Sequence, residues 1–302
     1  MQTERRSPRY AALDQWSPAD MLDAMLEGQF AAVSAVHAAR PALERAAVAV
    51  EDRLRRGGRL IYAGAGTSGR LAVQDGAELM PTFSWPPDRL VLLMAGGQAA
   101  LVRAVEGAED EGEQAAELAE RHGIGRADAL IAVAASGTTP FTLACLREAS
   151  ERGTLTVGIA NNANTPILNE AEHPVWLDTG AELIAGSTRM KAGTAQRVAL
   201  TVLSSLVMVR LGHVYEGMMV DVRATNAKLV RRSEAILAQL TGHGRDKVHE
   251  ALRRADGSVK LALLLLEGNS LAEARAALGA ASGDLRAAKE EIETRRERKR
   301  RA

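Results

Sequence analysis

The sequence predicts an α/β protein: a parallel sheet with helices on both faces, a helical N-terminal arm and a small all-helical C-terminal module. Three observations lead there. Short apolar runs at Leu60–Ala63, Leu90–Met94, Ala129–Ala134 and Leu155–Ile159, with a weaker one at Pro174–Leu177, alternate with stretches long enough for amphipathic helices. Near-continuous apolar strands separated by helices are the pattern of a parallel sheet buried on both sides. Segments rich in glycine and hydroxyl groups follow the first and third runs, and such sheets bind ligands at the carboxyl ends of their strands.

In chain order, residues 17 to 56 read as helix. Ser17-Pro18 supplies an N-cap with proline at the first helical position, Asp20 and Asp23 suit the positive first turn, and Pro41 splits the stretch in two. The strand–helix alternation then occupies the middle of the chain. After Thr188 a long helix rich in Ala, Val, Leu and Met runs to about Leu211; apolar on most sides, it should be buried, in part against a second subunit. Residues 244 to 290 read as short helices broken by Gly257, Gly268 and Gly283, and Arg295–Arg301 as a solvated basic tail. The expected domains are a helical arm over 1–56, an α/β domain over 57–240, a helical module over 241–290 and the tail over 291–302.

Composition narrows the function. The 302 residues carry 38 basic and 38 acidic side chains, so bulk attraction to nucleic acid or an anionic membrane is not expected. The start has no signal-like apolar stretch, and the runs near Val198–Val209 and Leu261–Leu266 are too short to span a bilayer. Cys145, the only cysteine, lies on the apolar face of a helix and reads as core, which suits a reducing cytoplasm. The six histidines show no metal-ligand spacing, so no metal and no cofactor are expected. No G-x-S-x-G nucleophile elbow is present.

The chemistry rests on two loops. "GAGTSGR", residues 64–70, follows the first apolar run with glycines spaced for a tight, anion-facing turn at a helix start. A dinucleotide site would want an acidic residue ending the second strand, where this chain has Met94-Ala-Gly-Gly-Gln98. A nucleotide P-loop would want Lys and a hydroxyl where Arg70 and Leu71 stand. What the loop does offer is Thr67 and Ser68. The third strand repeats the chemistry with Ala134-Ala-Ser-Gly-Thr-Thr-Pro140. Two hydroxyl-rich loops on one sheet form a cradle for a compact phosphate monoester, with Thr67, Ser68, Ser136, Thr138 and Thr139 as donors.

Together, "GRLIYAGAGTSGRL", "AVEGAED", "AASGTTP", "GSTRMKAGTAQ" and "VYEGMMVDVRATNAKLVRR" resemble the N-acetylmuramic acid 6-phosphate etherases, of the SIS (sugar isomerase) fold. The resemblance runs from about Thr3 to about residue 290. It implies a SIS-type sheet, a ubiquitin-associated-like (UBA-like) helical module, a homodimer with sites near the subunit interface, and a sugar-phosphate substrate. The implied reaction cleaves the D-lactyl ether of N-acetylmuramic acid 6-phosphate, giving N-acetylglucosamine 6-phosphate and D-lactate. With the ring open, the C1 aldehyde acidifies the C2 proton; a base removes it, lactate leaves from C3, and water adds back. A base and an acid are needed, and two carboxyl groups with separated pKa values supply both.

By resemblance, Glu78 is the acid/base that protonates the departing lactate, and Glu109 matches the second important glutamate. Glu106, three residues before Glu109, would share a helix face with it, so sequence does not choose between them; nor does it say which glutamate is base and which acid. Ser187 and Thr188 are further candidate ligands that would equally serve as helix caps. Lys191 is a candidate counter-charge or a surface salt bridge, and Asn226 a candidate contact or a structural polar group. Leu79, Met80 and Thr138 depart from the family pattern and bear on substrate preference. Two rival readings use the same cradle: an aldose–ketose isomerase, which needs no acid at a leaving group, and a non-catalytic sensor like the glucokinase regulatory protein, which carries two SIS units where this chain has strands for one.

Overall fold

The computed structural model describes residues 1–222 and 227–301. The chain divides into two compact units, Met1–Ala77 with Pro87–Ser205, and Glu78–Pro86 with Leu206–Ala302.

The first unit opens with α1 (Pro18–Ala38) and α2 (Arg40–Arg55). The Ser17 side chain accepts the N–H of Asp20, and Pro41 occupies the first turn of α2, so the cap and the split fall where the sequence put them. Then follow β1 (Leu60–Gly64), α3 (Gly66–Phe83, of which Glu78 onward belongs to the second unit), β2 (Leu90–Met94), the short α4 (Ala99–Val102), α5 (Gln114–Arg121), β3 (Ala129–Val133), α6 (Pro140–Glu151), β4 (Leu155–Ala160), α7 (Pro166–Glu170), β5 (His173–Trp176) and α8 (Lys191–Met208, of which Leu206 onward belongs to the second unit). All five strands pair parallel, in the order β2-β1-β3-β4-β5.

Every residue of β1, β3 and β4 is buried, the burial expected of central parallel strands covered on both faces. One layer of the core joins Ile61, Leu130 and Ala132 to Phe141, Cys145 and Leu146 of α6. Burial pushes the Cys145 thiol up to about 12, so it is a core residue rather than a nucleophile. The order 2-1-3 makes the chain turn to opposite sides after β1, and the crevice between the carboxyl ends of β1 and β3 is the topological switch point.

The stretch Lys191–His213, α8 and its continuation, is long and apolar enough for a membrane span by length and composition, which the shorter run read from sequence is not. More than half of its most apolar window is buried inside the protein: this is a core helix. Beneath it, the Tyr62 hydroxyl donates to Asp75 of α3 at 2.8 Å. Burial raises the Asp75 pKa against the pull of Tyr62 and the neighbouring hydroxyls.

The second unit gathers a two-stranded hairpin, β6 (Val214–Tyr215) with β7 (Met218–Met219), and five helices: α9 (Ala227–Thr241), α10 (Arg245–Arg254), α11 (Val259–Leu266), α12 (Leu271–Ala280) and α13 (Leu285–Arg301). Their core centres on Leu237, Val248, Leu252, Val259, Leu263 and Ala274. Lys260, almost fully buried, holds Asp221 and the Gly283 carbonyl. The basic end is helical: α13 continues through it, since Arg, Lys and Glu are good helix formers and Glu291 accepts from Arg295 one turn on.

Asp128 ties the start of β1 to the start of β3. It accepts from the Arg59 backbone N–H at 3.0 Å, the Arg59 guanidinium at 2.7 Å and the Gly125 N–H at 3.1 Å. Burial alone would raise its pKa, but these donors win and hold it below the usual carboxylate range. A depressed acid stabilises the fold above its unfolded pKa of about 4, and that contribution is lost as pH falls through the lower folded value. Asp128→Ala is therefore expected to cost about 2 kcal/mol at pH 7, with Arg59 partly open to solvent. In denaturant melts the gap to the unaltered protein should narrow as pH falls through and below the usual carboxylate range; a gap unchanged by pH would contradict this role.

Candidate active site

The cradle begins with a close approach. A Cβ on Gly64 would stand 2.8 Å from the Gly69 Cα, and one on Gly69 would stand 2.4 Å from the Met94 sulfur and 2.6 Å from the Gly64 carbonyl oxygen. Only glycine lets α3 start this near the end of β1. The helix consequently presents its first N–H groups, which have no intrahelical acceptors, at the sheet's carboxyl edge.

Beside it, β3 runs into the second loop. The Ser136 hydroxyl accepts the Thr138 N–H at 3.2 Å and lies 3.2 Å from the Thr139 hydroxyl, and Pro140 opens α6. A cavity of about 400 Å³ lies between the loops, bounded by Thr67, Ser68, Ser136, Thr138, Thr139 and Thr188. Glu109 and Asp110 form one wall and Glu4 another. No Lys or Arg lines it among the described residues. An anion here would be held by hydroxyls and by the positive ends of two helices.

Buried polar side chains fix the loops from behind. Asn162 donates to the Ala135 carbonyl and the Thr3 hydroxyl, at 2.9 and 3.0 Å, and accepts the N–H groups of Gln2 and Thr3. This clamp brings Glu4 to the cavity, although it stands sixty residues before the first recognisable motif. Asn161 takes the Ala135 carbonyl on its backbone N–H, donates to the Leu177 carbonyl and accepts from Gln196 of α8. Glu4, Asp110 and the two asparagines were not singled out by sequence; isolated polar residues carry no periodicity or glycine spacing to flag them.

The candidates fall into groups. Thr67, Ser68, Ser136, Thr138, Thr139, Thr188 and Glu109 line one cavity. Ser187 does not line it; its N–H and carbonyl are used in the turn before α8, bonding Ile184 and Met190. Lys191 does not line it either. Its ammonium donates to the Thr179 carbonyl at 2.8 Å, and its N–H, with that of Ala192, caps α8 on the buried Glu182 carboxylate. Burial lowers the Lys191 pKa and raises that of Glu182, each opposed by the other's charge. Lys191 thus fastens a helix end. Asn226 lies outside the described residues.

The glutamates separate as well. Glu106 and Glu109 do not share a helix face. Gly107 between them takes φ 75° and ends any helical continuity, and Glu109 sits in a single 3-10 turn, Ala108–Asp110. Only Glu109 borders the cradle; Glu106 borders an adjoining cavity. Glu78 is exposed on α3 and lines neither cavity. Leu79 beside it is buried and Met80 exposed.

A parallel sheet ordered 2-1-3-4-5 with two hydroxyl-bearing loops at its switch point defines a SIS-domain protein. Residues 103–206 match the SIS domain family, and residues 42–150 match the glucokinase regulatory protein N-terminal SIS domain family. A solved phosphoheptose isomerase from Francisella tularensis shares the fold, with a TM-score of 0.50 at 19% identity, over 64% of this chain and 100% of that one. Full-length relatives are more specific. An N-acetylmuramic acid 6-phosphate etherase of Deinococcus radiodurans is 51% identical over 94% of this chain and 93% of its own. Those of Rubrobacter xylanophilus and Streptomyces avermitilis are 44% and 45% identical over 95% of this chain and 95% and 92% of theirs. The chain belongs to the N-acetylmuramic acid 6-phosphate etherase family.

If the hydroxyls of the α3 start bind the anion, replacing Thr67 and Ser68 together by Ala should weaken binding of N-acetylglucosamine 6-phosphate by about 10-fold or more, at about 1 kcal/mol per hydrogen bond. Calorimetric titration reads this directly. Unchanged affinity would put the phosphate elsewhere.

Proposed function

We propose that this protein cleaves the D-lactyl ether of N-acetylmuramic acid 6-phosphate, releasing D-lactate and N-acetylglucosamine 6-phosphate, in the salvage of cell-wall amino sugar. The full-length similarity to the etherases carries the reading, and the cavity supports it with a hydroxyl-lined anion cradle that has carboxylates on its wall.

The phosphate is a spectator, held by Thr67, Ser68, Ser136, Thr138 and Thr139. An alkoxide is a poor leaving group, so the ether does not yield to simple displacement by water. With the sugar open-chain, a carboxylate takes the C2 proton and the electron pair forms the C2–C3 double bond. The C3–O bond breaks, and an acid gives the lactate oxygen its proton. Water then adds to C3 and a proton returns to C2, so no atom or electron is left over. Glu109, at the cradle wall, and Glu78, on α3, are the proposed proton-transfer pair. Thr188 joins the hydroxyl lining; Ser187 and Lys191 support the loop instead.

A homodimer in the cytoplasm completes the reading. Leu22, Leu26 and Phe30 stand exposed one turn apart on α1, and Val202 is exposed on α8, an apolar surface a second copy would cover.

Replacing Glu109 or Glu78 by Gln should leave N-acetylglucosamine 6-phosphate binding intact and lower D-lactate release by about 100-fold or more, the scale of a lost general acid or base. Near-normal turnover in either variant would remove that residue from the mechanism.

A further inference from the structure

A second cavity, of about 390 Å³, adjoins the cradle and shares Ala65, Gly66 and Glu109 with it. Its remaining wall is mainly aliphatic, including Met94, Ala95, Ala100 and Val105. One cationic side chain lines it, Arg70 of α3. The Arg70 Nε donates to the Ala100 carbonyl at 2.8 Å and one terminal nitrogen to the Arg103 carbonyl at 3.3 Å. These two bonds fix the plane of the guanidinium and leave Nη1 without a partner among the described residues. No carboxylate among the described residues comes within ion-pairing distance of Arg70.

A fixed guanidinium edge on a small aliphatic cavity suits a short apolar group carrying a carboxylate. Resting on the etherase reading, we propose that this cavity is the lactyl subsite and that Arg70 pairs with the lactyl carboxylate. The lactyl methyl packs on the aliphatic wall. Glu109 stands where the two cavities meet, the place for the ether oxygen that joins sugar to lactyl group. Arg70 also offsets the repulsion that Glu106 and Glu109, on the same wall, exert on an entering anion. An acetamido group would use the aliphatic wall and its carbonyl would accept one guanidinium N–H, but it brings no counter-charge, which is why the lactyl group is favoured.

The experiment compares kcat/KM for N-acetylmuramic acid 6-phosphate and its lactyl methyl ester in the unaltered enzyme, Arg70→Gln and Arg70→Lys. The unaltered enzyme should prefer the free acid. Arg70→Gln should lose about 30-fold or more on the acid and little on the ester, the scale for losing one partner of a charge pair. Arg70→Lys should restore part of the preference. Binding of N-acetylglucosamine 6-phosphate, which has no lactyl group, should not change. An equal fall on acid and ester would make Arg70 a structural brace and overturn the assignment. So would an intact acid preference in Arg70→Gln, with turnover now insensitive to removal of the acetyl group. Lactate from neither compound in the unaltered enzyme would overturn the etherase reading and this subsite with it.

Discussion

The contact between Gly64 and Gly69 sets the geometry of the site. A strand end and a helix start meet backbone to backbone, with no space for a Cβ on either side. This closeness aims the α3 N-terminus at the crevice between β1 and β3, and the sheet order places the Ser136–Thr139 loop opposite. The buried Asn161 and Asn162 hold that second loop through the Ala135 carbonyl. Two helix ends and two sets of hydroxyls therefore converge on one point, with no Lys or Arg lining it among the described residues.

That economy suits a spectator phosphate. The anion needs to be gripped and oriented, not activated, and neutral donors at helix ends do this without drawing charge toward the reacting carbons. Glu4, Glu109 and Asp110 also border the cradle, and Glu109 stands on the wall shared by the polar and the aliphatic cavity. A substrate with a phosphate at one end and an ether-linked acid at the other meets a surface divided in the same way. Lys191, within "GSTRMKAGTAQ", is spent on the α8 start, where Glu182 takes the helix N–H groups.

Much of this was legible from the chain. Apolar runs of four to six residues located all five strands, most clearly the central ones, because strands buried on both faces have little freedom in composition. Ser17-Pro18 and Pro41 placed the first two helices through local backbone sterics. The hydroxyl loops were legible as a pair, since each follows a strand. Other features depended on tertiary structure. The shared helix face expected of Glu106 and Glu109 fails on a single left-handed glycine, Gly107. Glu4 reaches the cavity through a clamp spanning 159 residues between Thr3 and Asn162, a contact no local pattern encodes. Lys191 looked like a counter-charge because its partners, Thr179 and Glu182, lie in an irregular stretch. The basic end reads as a tail rather than a helix because its charges, not its helix propensity, dominate the pattern.

The central claim is that the sugar C3–O bond breaks by elimination and is remade with water. The most direct measurement is to run the reaction on N-acetylmuramic acid 6-phosphate in ¹⁸O-labelled water and analyse both products by mass spectrometry. The account predicts label at C3 of N-acetylglucosamine 6-phosphate and none in the D-lactate hydroxyl. Label in the lactate hydroxyl would place the broken bond on the lactyl side and contradict the elimination.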